Sequence, residues 1–210
     1  NELNSKNINV PSDLSSASFF IVAALINKGS KIYMKNINLN PTRDGILKAL
    51  NMMGAKINIS NKRIQSEEFV ADIETEYSKL KGCELNSEFS ELMIDEYPIL
   101  SIAAAFADGP SIFRGLGELR FKESDRLELI KQNLIRCGCE CEVNGDDLFI
   151  KPSKNYNVPH INIKTNYDHR IAMSFLVMGT KIGNLKIEDI DSINTSFPNF
   201  IDSFNDAGGN

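Results

Sequence analysis

The stretch DHRIAMSFLVMGTKIG, residues 168–183, joins an aspartate, a run of apolar residues at helical spacing and a closing glycine. Aspartate is a common cap at the start of a helix, and glycine commonly ends one. The pattern therefore predicts an apolar helix that begins after Asp168 and ends near Gly183.

The same pattern occurs at two other places, as SDLSSASFFIVAALINKG from Ser12 and as DEYPILSIAAAFADG from Asp95. After each apolar helix comes a short β-type run, then a loop, then an amphipathic helix that ends near a glycine. The β-type runs are SKIYMKNI (30–37), PSIFRGL (110–116) and NLKIEDI (184–190). The amphipathic helices are expected within RDGILKALNMMGAKI (43–57), ESDRLELIKQNLIRCGCEC (123–141) and FPNFIDSFNDAGGN (197–210).

The recurrence of one α/β arrangement predicts a single α/β domain built from three repeated units. We refer to residues of about 7–80 as unit one, 81–158 as unit two and 159–210 as unit three. The chain has no Pro-, Gly- or Ser-rich linker that would divide it into separate domains.

Smaller elements are predicted around these helices. The expected strands that lead into the apolar helices are INV (8–10), CELN (83–86) and INIK (161–164). The expected hairpins are INISNKRIQSE (57–67) and CEVNGDDLFIKPS (141–153), the second with its turn at Asn144-Gly145. The stretch EEFVADIETEYSKLKG (67–82) is polar with sparse apolar positions, so we expect it to be a surface segment.

The composition is that of an ordinary soluble globular protein. The chain has 210 residues, 42% of them hydrophobic and 24% charged, with a net charge of −5. A nucleic-acid-binding domain would normally be strongly basic, so the acidic balance argues against nucleic acid as a partner. No apolar run reaches the length of a membrane span, and no signal-peptide pattern opens the chain, which favours a cytoplasmic protein without membrane contact.

The cysteines and the glycine-rich turn do not indicate a metal or a cofactor. Two of the three clustered cysteines, Cys137, Cys139 and Cys141, fall on alternate positions of an apparent strand, and there is no clustered fourth ligand; the remaining cysteine is Cys83. We therefore interpret all four as reduced structural cysteines. The sequence Gly115-Leu-Gly117 lacks the third glycine of a dinucleotide-binding motif, so no cofactor is expected.

The run RFKESDRLELI, residues 120–130, places three cations and two carboxylates directly before a helical pattern. They are Arg120, Lys122, Glu123, Asp125 and Arg126. Such a run is usually the solvated start of a surface helix. It would also suit a site that binds a small polyanion and transfers a proton.

The three repeated helix starts favour the site over the solvated surface. If they lie at equivalent points of one fold, their positive ends face the same region and attract anions. The simpler interpretation of Asp13, Asp95 and Asp168 is that each is an N-cap, worth roughly 1 kcal/mol. We favour this for Asp13 alone, because Glu96 follows Asp95 and a His-Arg pair follows Asp168.

Four motifs together resemble the 5-enolpyruvylshikimate-3-phosphate (EPSP) synthase, or 3-phosphoshikimate 1-carboxyvinyltransferase, family. They are FKESDRL (121–127), MIDEYPILSIAAAFADG (93–109), NYDHRIAM (166–173) and VPSDLSSASFF (10–20). The resemblance implies one of two similar domains, each an inside-out α/β barrel of three units, that face each other across the active site. This chain would be the C-terminal domain, whose partner is the N-terminal domain of the same enzyme, and the enzyme is expected to be a monomer.

The resemblance also implies a reaction. Family members transfer the enolpyruvyl group of phosphoenolpyruvate to the 5-hydroxyl of shikimate 3-phosphate and release phosphate, a step toward chorismate and the aromatic amino acids. The reaction adds the hydroxyl to give a tetrahedral ketal and then eliminates phosphate. Both steps move protons, which requires carboxylates, and both substrates are anions, which requires cations.

Carried over to this sequence, the family pattern assigns the proton carriers to two carboxylates. Glu123 matches the group beside the reacting methylene carbon, and Asp95 the group near the 5-hydroxyl. The residues implied in substrate binding are Asp95, Lys122, Arg126, His169 and Arg170. Lys122 would contact both substrates and the two arginines would hold phosphoenolpyruvate, while Asp125 and Asp168 are expected to orient these arginines.

Two other functions remain open on the sequence alone. One is an enolpyruvyl transferase of the same fold that acts on a UDP-sugar, which would be expected to lack the Lys-Glu-Ser-Asp-Arg element. The other is a non-catalytic α/β module that uses its anion-binding patch for docking. An upstream domain of similar architecture in the open reading frame would argue against the second.

Overall fold

The computed structural model describes residues 7–156 and 160–209. The helices are α1 (Leu14–Ile26), α2 (Gly45–Met52), α3 (Glu88–Met93), α4 (Tyr97–Ala105), α5 (Arg126–Arg136), α6 (His169–Ile182) and α7 (Phe200–Asp206). The strands are β1 (Lys31–Asn38), β2 (Lys56–Gln65), β3 (Glu68–Glu76), β4 (Glu84–Leu85), β5 (Ser111–Phe113), β6 (Glu140–Asn144), β7 (Asp147–Lys151), β8 (Ile161–Ile163) and β9 (Leu185–Ile187). Three 3₁₀ turns cover Ile94–Glu96, Gly117–Phe121 and Ile190–Thr195.

The strands form three separate sheets, one in each predicted unit. Their orders are β1-β3-β2, β4-β5-β7-β6 and β8-β9. In the second and third sheets the strand that leads into the apolar helix pairs in parallel with the strand that follows it, as in a β-α-β unit. The predicted boundary between units two and three, at residues 158 and 159, lies outside the described residues.

The three apolar helices form the centre of the molecule. Helices α1, α4 and α6 contact one another in every pairwise combination. All nine residues of α4 are buried, and α1 buries ten of its thirteen. A helix that is apolar on nearly every side, such as α1 or α4, is stable only when it is surrounded by protein, which explains why these two helices lie inside. Helix α6 buries seven of its fourteen residues. The six glycines predicted to end helices all have positive φ, which favours glycine over residues with a side chain.

The surface location expected for residues 67–82 is wrong, because β3 is the central strand of the first sheet. Ala71, Ile73 and Thr75 alternate along one buried face of this strand. Two of these three side chains are small or polar, which hides the period-2 pattern of a strand in the sequence. The strand β3 packs against α1 and carries part of the core.

The hairpin expected within residues 57–67 is also misplaced. Strand β2 continues to Gln65, and the turn to β3 is made by Ser66 and Glu67, which both have positive φ. Asn61 marks a bulge in β2 instead, where the register with β3 shifts. The other hairpin is confirmed, although its turn lies one residue further on, at Gly145 and Asp146 between β6 and β7.

Of the three lead-in strands, two are confirmed as β4 and β8. The run at residues 8–10 is not a strand, and a single bridge from Ser12 to Ile37 of β1 takes its place. Cys137, Cys139 and Cys141 are buried and carry free thiols, consistent with structural cysteines. Within the described ranges, no helix is long and apolar enough to cross a membrane.

Candidate active site

The beginnings of the three central helices meet at one place. Ser15 in the first turn of α1 donates a hydrogen bond to the carboxylate of Glu96, which directly precedes α4. Arg170 in the first turn of α6 donates from Nη1 to the backbone oxygen of Asp95, at 3.1 Å. The convergence predicted from the repeat is therefore present, and it gathers side chains from all three units.

Two of the three aspartates cap their helices. Asp13 accepts hydrogen bonds from the amides of Ser15 and Ser16, and Asp168 accepts from the amides of Arg170 and Ile171. The N-cap interpretation fails for Asp95, which lies in a 3₁₀ turn ahead of α4 and caps nothing. Its carboxylate is consequently free to bind other side chains.

A 3₁₀ turn and a cap place the charged run of residues 120–126. Arg120 donates from Nη2 to the carbonyl of Gly145 in the β6–β7 turn, at 2.7 Å, which ties the 3₁₀ turn to the second sheet. Asp125 then caps α5 by accepting from the amide of Glu128. The helix therefore starts at Arg126, whose side chain points inward and is completely buried.

The His-Arg pair is held in place by a contact between units two and three. The side chain of Asn133, buried in α5, donates a hydrogen bond to the backbone carbonyl of Lys164 at 2.7 Å and accepts one from the backbone amide of Lys164 at 3.1 Å. After this anchor the chain turns through Asn166 and Tyr167, which both have left-handed φ, and α6 begins. The turn directs Asp168 and the residues after it toward α5.

Arg126 is the centre of a cluster of three carboxylates. Its Nε lies 2.8 Å from Asp168 Oδ2, its Nη1 lies 3.1 Å from Asp95 Oδ1, and its Nη2 binds Glu123. Asp168 is as deeply buried as Arg126, and Ser124 donates to it at 2.8 Å. A buried guanidinium that is shared in this way fixes the positions of its partners.

Asp95 is surrounded by cations. Lys122 Nζ lies 3.4 Å from its Oδ1, next to Arg126. Burial tends to raise the pKa of Asp95, but the charges of Arg170, Lys122 and Arg126 outweigh it, so the pKa lies below the ordinary value. Asp95 is therefore a carboxylate at neutral pH and can accept a proton or a hydrogen bond.

The remaining predicted residues lie around this cluster. Burial lowers the pKa of His169 below its ordinary value, although the charge of Asp168 opposes the shift, so its imidazole is neutral at pH 7. Asp168 contacts Arg126, as expected of an orienting partner. Asp125 does not: besides capping α5, it lies 3.6 Å from Arg120 and contacts neither Arg126 nor Arg170.

Sequence reasoning missed Ser15, Glu96 and Arg43 as members of the site. Glu96 is 1% exposed, between Ser15 and Arg170, and Arg43 approaches Glu96 and Asp95 to 4.0 Å from the loop before α2. Glu96 was noted only as the neighbour of Asp95. Nothing near Arg43 in the sequence marks it, because its partners come from other units.

The expectation that helix ends themselves attract an anion needs correction. Carboxylates already occupy the first amides of α1 and α6, so the positive ends of these helices are largely neutralised. The cations that face the site are side chains instead, those of Lys122, Arg170 and Arg43. In the part of the chain that the structure describes, no group of three or more His, Cys, Asp or Glu side chains is arranged to hold a metal ion.

The glycines of Gly115-Leu-Gly117 allow neighbouring segments of the chain to approach closely. Gly115 has a φ of 72°, and a Cβ atom there would lie 2.5 Å from the Cβ of Ser87.

A cavity of about 620 Å³ lies away from the site, between α2 and the sheet of β2 and β3. Its lining includes none of the residues clustered around Arg126.

Comparisons with known proteins agree with one another. Residues 1–204 match the family model of EPSP synthase (3-phosphoshikimate 1-carboxyvinyltransferase). The chain is 44% identical to the 3-phosphoshikimate 1-carboxyvinyltransferase of Paramagnetospirillum magneticum over 99% of its length, and 44% identical to that of Gluconobacter oxydans. These matches cover 47% of each relative, so the chain spans about half the length of the curated relatives it matches.

Solved structures give the same result for the fold. The EPSP synthase of Acinetobacter baumannii superposes on 99% of this chain with a TM-score of 0.90 and 37% identity, and the match covers 48% of that protein. The enolpyruvyl transferase NikO of Streptomyces tendae superposes with a TM-score of 0.70 at 14% identity, which shows a shared fold alone. The chain thus has the α/β fold of one enolpyruvyl transferase domain, and it belongs to the EPSP synthase (3-phosphoshikimate 1-carboxyvinyltransferase) family.

Proposed function

We propose that this chain supplies one half of the active site of a 3-phosphoshikimate 1-carboxyvinyltransferase. The reaction transfers the enolpyruvyl group of phosphoenolpyruvate to the 5-hydroxyl of shikimate 3-phosphate and releases phosphate. The observation that carries the proposal is the cluster in which Arg126 and Lys122 lie beside two carboxylates that are not helix caps, Asp95 and Glu123. Addition followed by elimination needs this combination of proton carriers and anion-binding groups.

Asp95 is proposed to act at the 5-hydroxyl. Its Oδ1 is held by Arg126 and Lys122, whereas its Oδ2 lies 4.0 Å from Arg43 Nη2. The lowered pKa keeps this group ionised, so it can accept a hydrogen bond from the hydroxyl and orient it for attack. As the new C–O bond forms, the hydroxyl proton passes to the carboxylate.

Glu123 is proposed to act at the methylene carbon of phosphoenolpyruvate. Its side chain is half exposed and anchored to Arg126 at one oxygen, so the other can reach a substrate. In the addition step it gives a proton to the methylene carbon, which becomes a methyl group. In the elimination step it takes a proton back from that methyl group as the C–O bond to phosphate breaks, which restores the double bond. The departing phosphate takes up the proton that Asp95 received from the hydroxyl.

Lys122 and Arg170 are proposed to bind the substrate anions, with His169 lining the same pocket. Their side chains are partly exposed, at 28% for Lys122 and 16% for Arg170, so both can contact a ligand. Arg126 differs, because its guanidinium is buried and shared by three carboxylates. For Arg126 to touch the carboxylate of phosphoenolpyruvate, the half-exposed Glu123 has to turn away from it.

The second half of the site is proposed to come from another domain of the same enzyme, the N-terminal domain. The chain covers about half of its relatives, and the cluster lies at one end of the central helices where a second body could close over it. Closure would exclude water and bring the two substrates together. That the enzyme is cytoplasmic and monomeric stays a prediction.

The test is an assay of the full-length protein that contains this chain. Phosphate release should require both phosphoenolpyruvate and shikimate 3-phosphate, and 5-enolpyruvylshikimate 3-phosphate should form in equal amount. A UDP-sugar in place of shikimate 3-phosphate should give no release. Phosphate release when the UDP-sugar is the only acceptor, or when no acceptor is added, would contradict the proposal.

A further inference from the structure

Glu96 is a buried carboxylate whose location demands an explanation. It is 1% exposed, and its Oε2 has no hydrogen-bond partner among the described residues. It also stands next to a second carboxylate in the chain, that of Asp95. Removing a carboxylate from water is costly unless it is paired and fully hydrogen-bonded, so stability alone does not favour a glutamate here.

The contacts of Glu96 join all three units. Its Oε1 accepts a hydrogen bond from Ser15 of α1 and lies 3.6 Å from Arg170 Nη1 of α6. Arg43, from the loop before α2, lies 4.0 Å from the same oxygen and 3.4 Å from Ser15 Oγ. Burial raises the pKa of Glu96, and the hydrogen bond from Ser15 with the charges of Arg170 and Arg43 offsets part of this effect.

Arg170 is held by two groups that differ in kind. Its Nη1 donates to the backbone oxygen of Asp95 at 3.1 Å, and the carboxylate of Glu96 attracts the same nitrogen from 3.6 Å. A single hydrogen bond to a backbone oxygen would leave the guanidinium free to rotate about it. The charge of Glu96, fixed in turn by Ser15, restricts that rotation.

We propose that Glu96 is a positioning residue that acts through Arg170, by holding its guanidinium in the direction in which it meets phosphoenolpyruvate. The role rests on the proposed function, because it requires that Arg170 binds this substrate. Glu96 itself does not touch the substrate. The unpaired Glu96 Oε2 and the cost of burial are then tolerated because the carboxylate orders a binding group rather than stabilising the fold.

The test uses the full-length enzyme with the substitution Glu96→Gln, which keeps the shape and removes the charge. The KM for phosphoenolpyruvate should rise roughly tenfold, because a misdirected binding group weakens binding of one substrate. The KM for shikimate 3-phosphate and the kcat should change less than about threefold. The matched control is Glu76→Gln, at a half-exposed glutamate that pairs with Lys56. The next residue, Tyr77, donates its amide to Ser30, beyond the end of α1 that lies far from Ser15.

A double-substitution cycle separates positioning from a general structural effect. In an Arg170→Ala enzyme, adding Glu96→Gln should leave the KM for phosphoenolpyruvate unchanged, because the group through which Glu96 acts is already gone. The same tenfold rise in both backgrounds would overturn the positioning role, even if the melting temperature falls.

Two further results complete the test. If Glu96→Gln fails to fold, Ser15→Ala removes the hydrogen bond that fixes Glu96 and should raise the same KM by a smaller factor, again only when Arg170 is present. An unchanged KM in Ser15→Ala and Glu96→Gln would overturn the inference alone. No phosphate release from the unsubstituted enzyme would overturn the proposed function, and this inference with it.

Discussion

Arg126 and Asp168 form a buried ion pair between α5 and α6, with 2.8 Å between Nε and Oδ2 and exposures of 1% and 0%. The same aspartate caps α6 through the amides of Arg170 and Ile171 and accepts a hydrogen bond from Ser124. One carboxylate therefore begins a helix, neutralises a buried cation and joins units two and three. The position of the proposed substrate-binding residues depends on this pair.

We expect Asp168→Ala to destabilise the chain by about 3 kcal/mol more than Asp13→Ala. Both substitutions remove an N-cap, worth roughly 1 kcal/mol. Asp168→Ala also takes a carboxylate from a buried cation, which costs about 3–5 kcal/mol when the partner is left unpaired. The lower figure applies, since Arg126 keeps Asp95 and Glu123. Urea unfolding followed by circular dichroism measures the difference, and equal losses in the two variants would contradict the structural role of the pair.

We expect Glu123→Gln to lower the kcat of the full-length enzyme by about a hundredfold to ten-thousandfold, the range typical for loss of a proton carrier. The KM values should change only a few-fold, because glutamine keeps the shape and the contact to Arg126. Steady-state phosphate release measures both quantities. The control is Glu140→Gln in the β6–β7 hairpin, an exposed glutamate that pairs with Lys151. A kcat near that of the control would rule out Glu123 as the proton carrier.

Much of the fold could be predicted because the residues that mark the start and end of each helix are close to it in sequence. Helix caps such as Asp168 and closing glycines such as Gly183 lie within a few residues of the elements they bound, so their pattern is readable. Strand β3 was misjudged because Asp72 and Thr75 are polar and yet buried. The sequence could not indicate that Asp72 would be satisfied by partners from two neighbouring strands.

The residues of the candidate site likewise divide into those that the sequence indicates and those that only packing brings together. Lys122, Glu123 and Arg126 were found because they are adjacent in the chain, and Asp95 through the repeat. Arg43 was missed because its proximity to Asp95 exists only after units one and two have packed together. Side-chain burial, which distinguishes Arg126 from Lys122, likewise follows from packing and cannot be assigned from charge alone.

Asp72 predicts how stability should depend on pH. It accepts hydrogen bonds from Asn61 at 2.9 Å, from the amide of Asn36 at 3.0 Å and from Tyr33 at 2.8 Å, and so fastens the bulges of β1 and β2 to the strand between them. The hydrogen bond from Asn61 is the main cause that holds the pKa of Asp72 well below its usual range, and those from Asn36 and Tyr33 add to it.

A pKa lowered by folding means that Asp72 stabilises the fold fully above the unfolded-state pKa of about 4, and that this contribution is lost as the pH falls below it. Asp72→Asn should therefore lower the urea midpoint at pH 7, and the difference from the unsubstituted chain should shrink toward pH 3. Midpoints measured from pH 7 to pH 3 check the sign. A difference that stays constant or grows at acid pH would contradict the assignment.

The chain without its proposed partner domain should fold, bind anions weakly and have no synthase activity. Three units with a shared core of apolar helices need no second domain to bury them. Lys122 and Arg170 remain partly exposed and can bind an anion. Calorimetric titration with shikimate 3-phosphate or phosphoenolpyruvate should therefore detect weak binding. The affinity should fall between low salt and 0.5 M salt, because salt screens charge interactions. Arg170→Ala should weaken it further, whereas Lys56→Ala, at the exposed end of β2, should not. Turnover needs two domains to close over both substrates, and one domain alone cannot do this. Measurable product from the 210-residue chain alone would show that the division of the site between two domains is wrong.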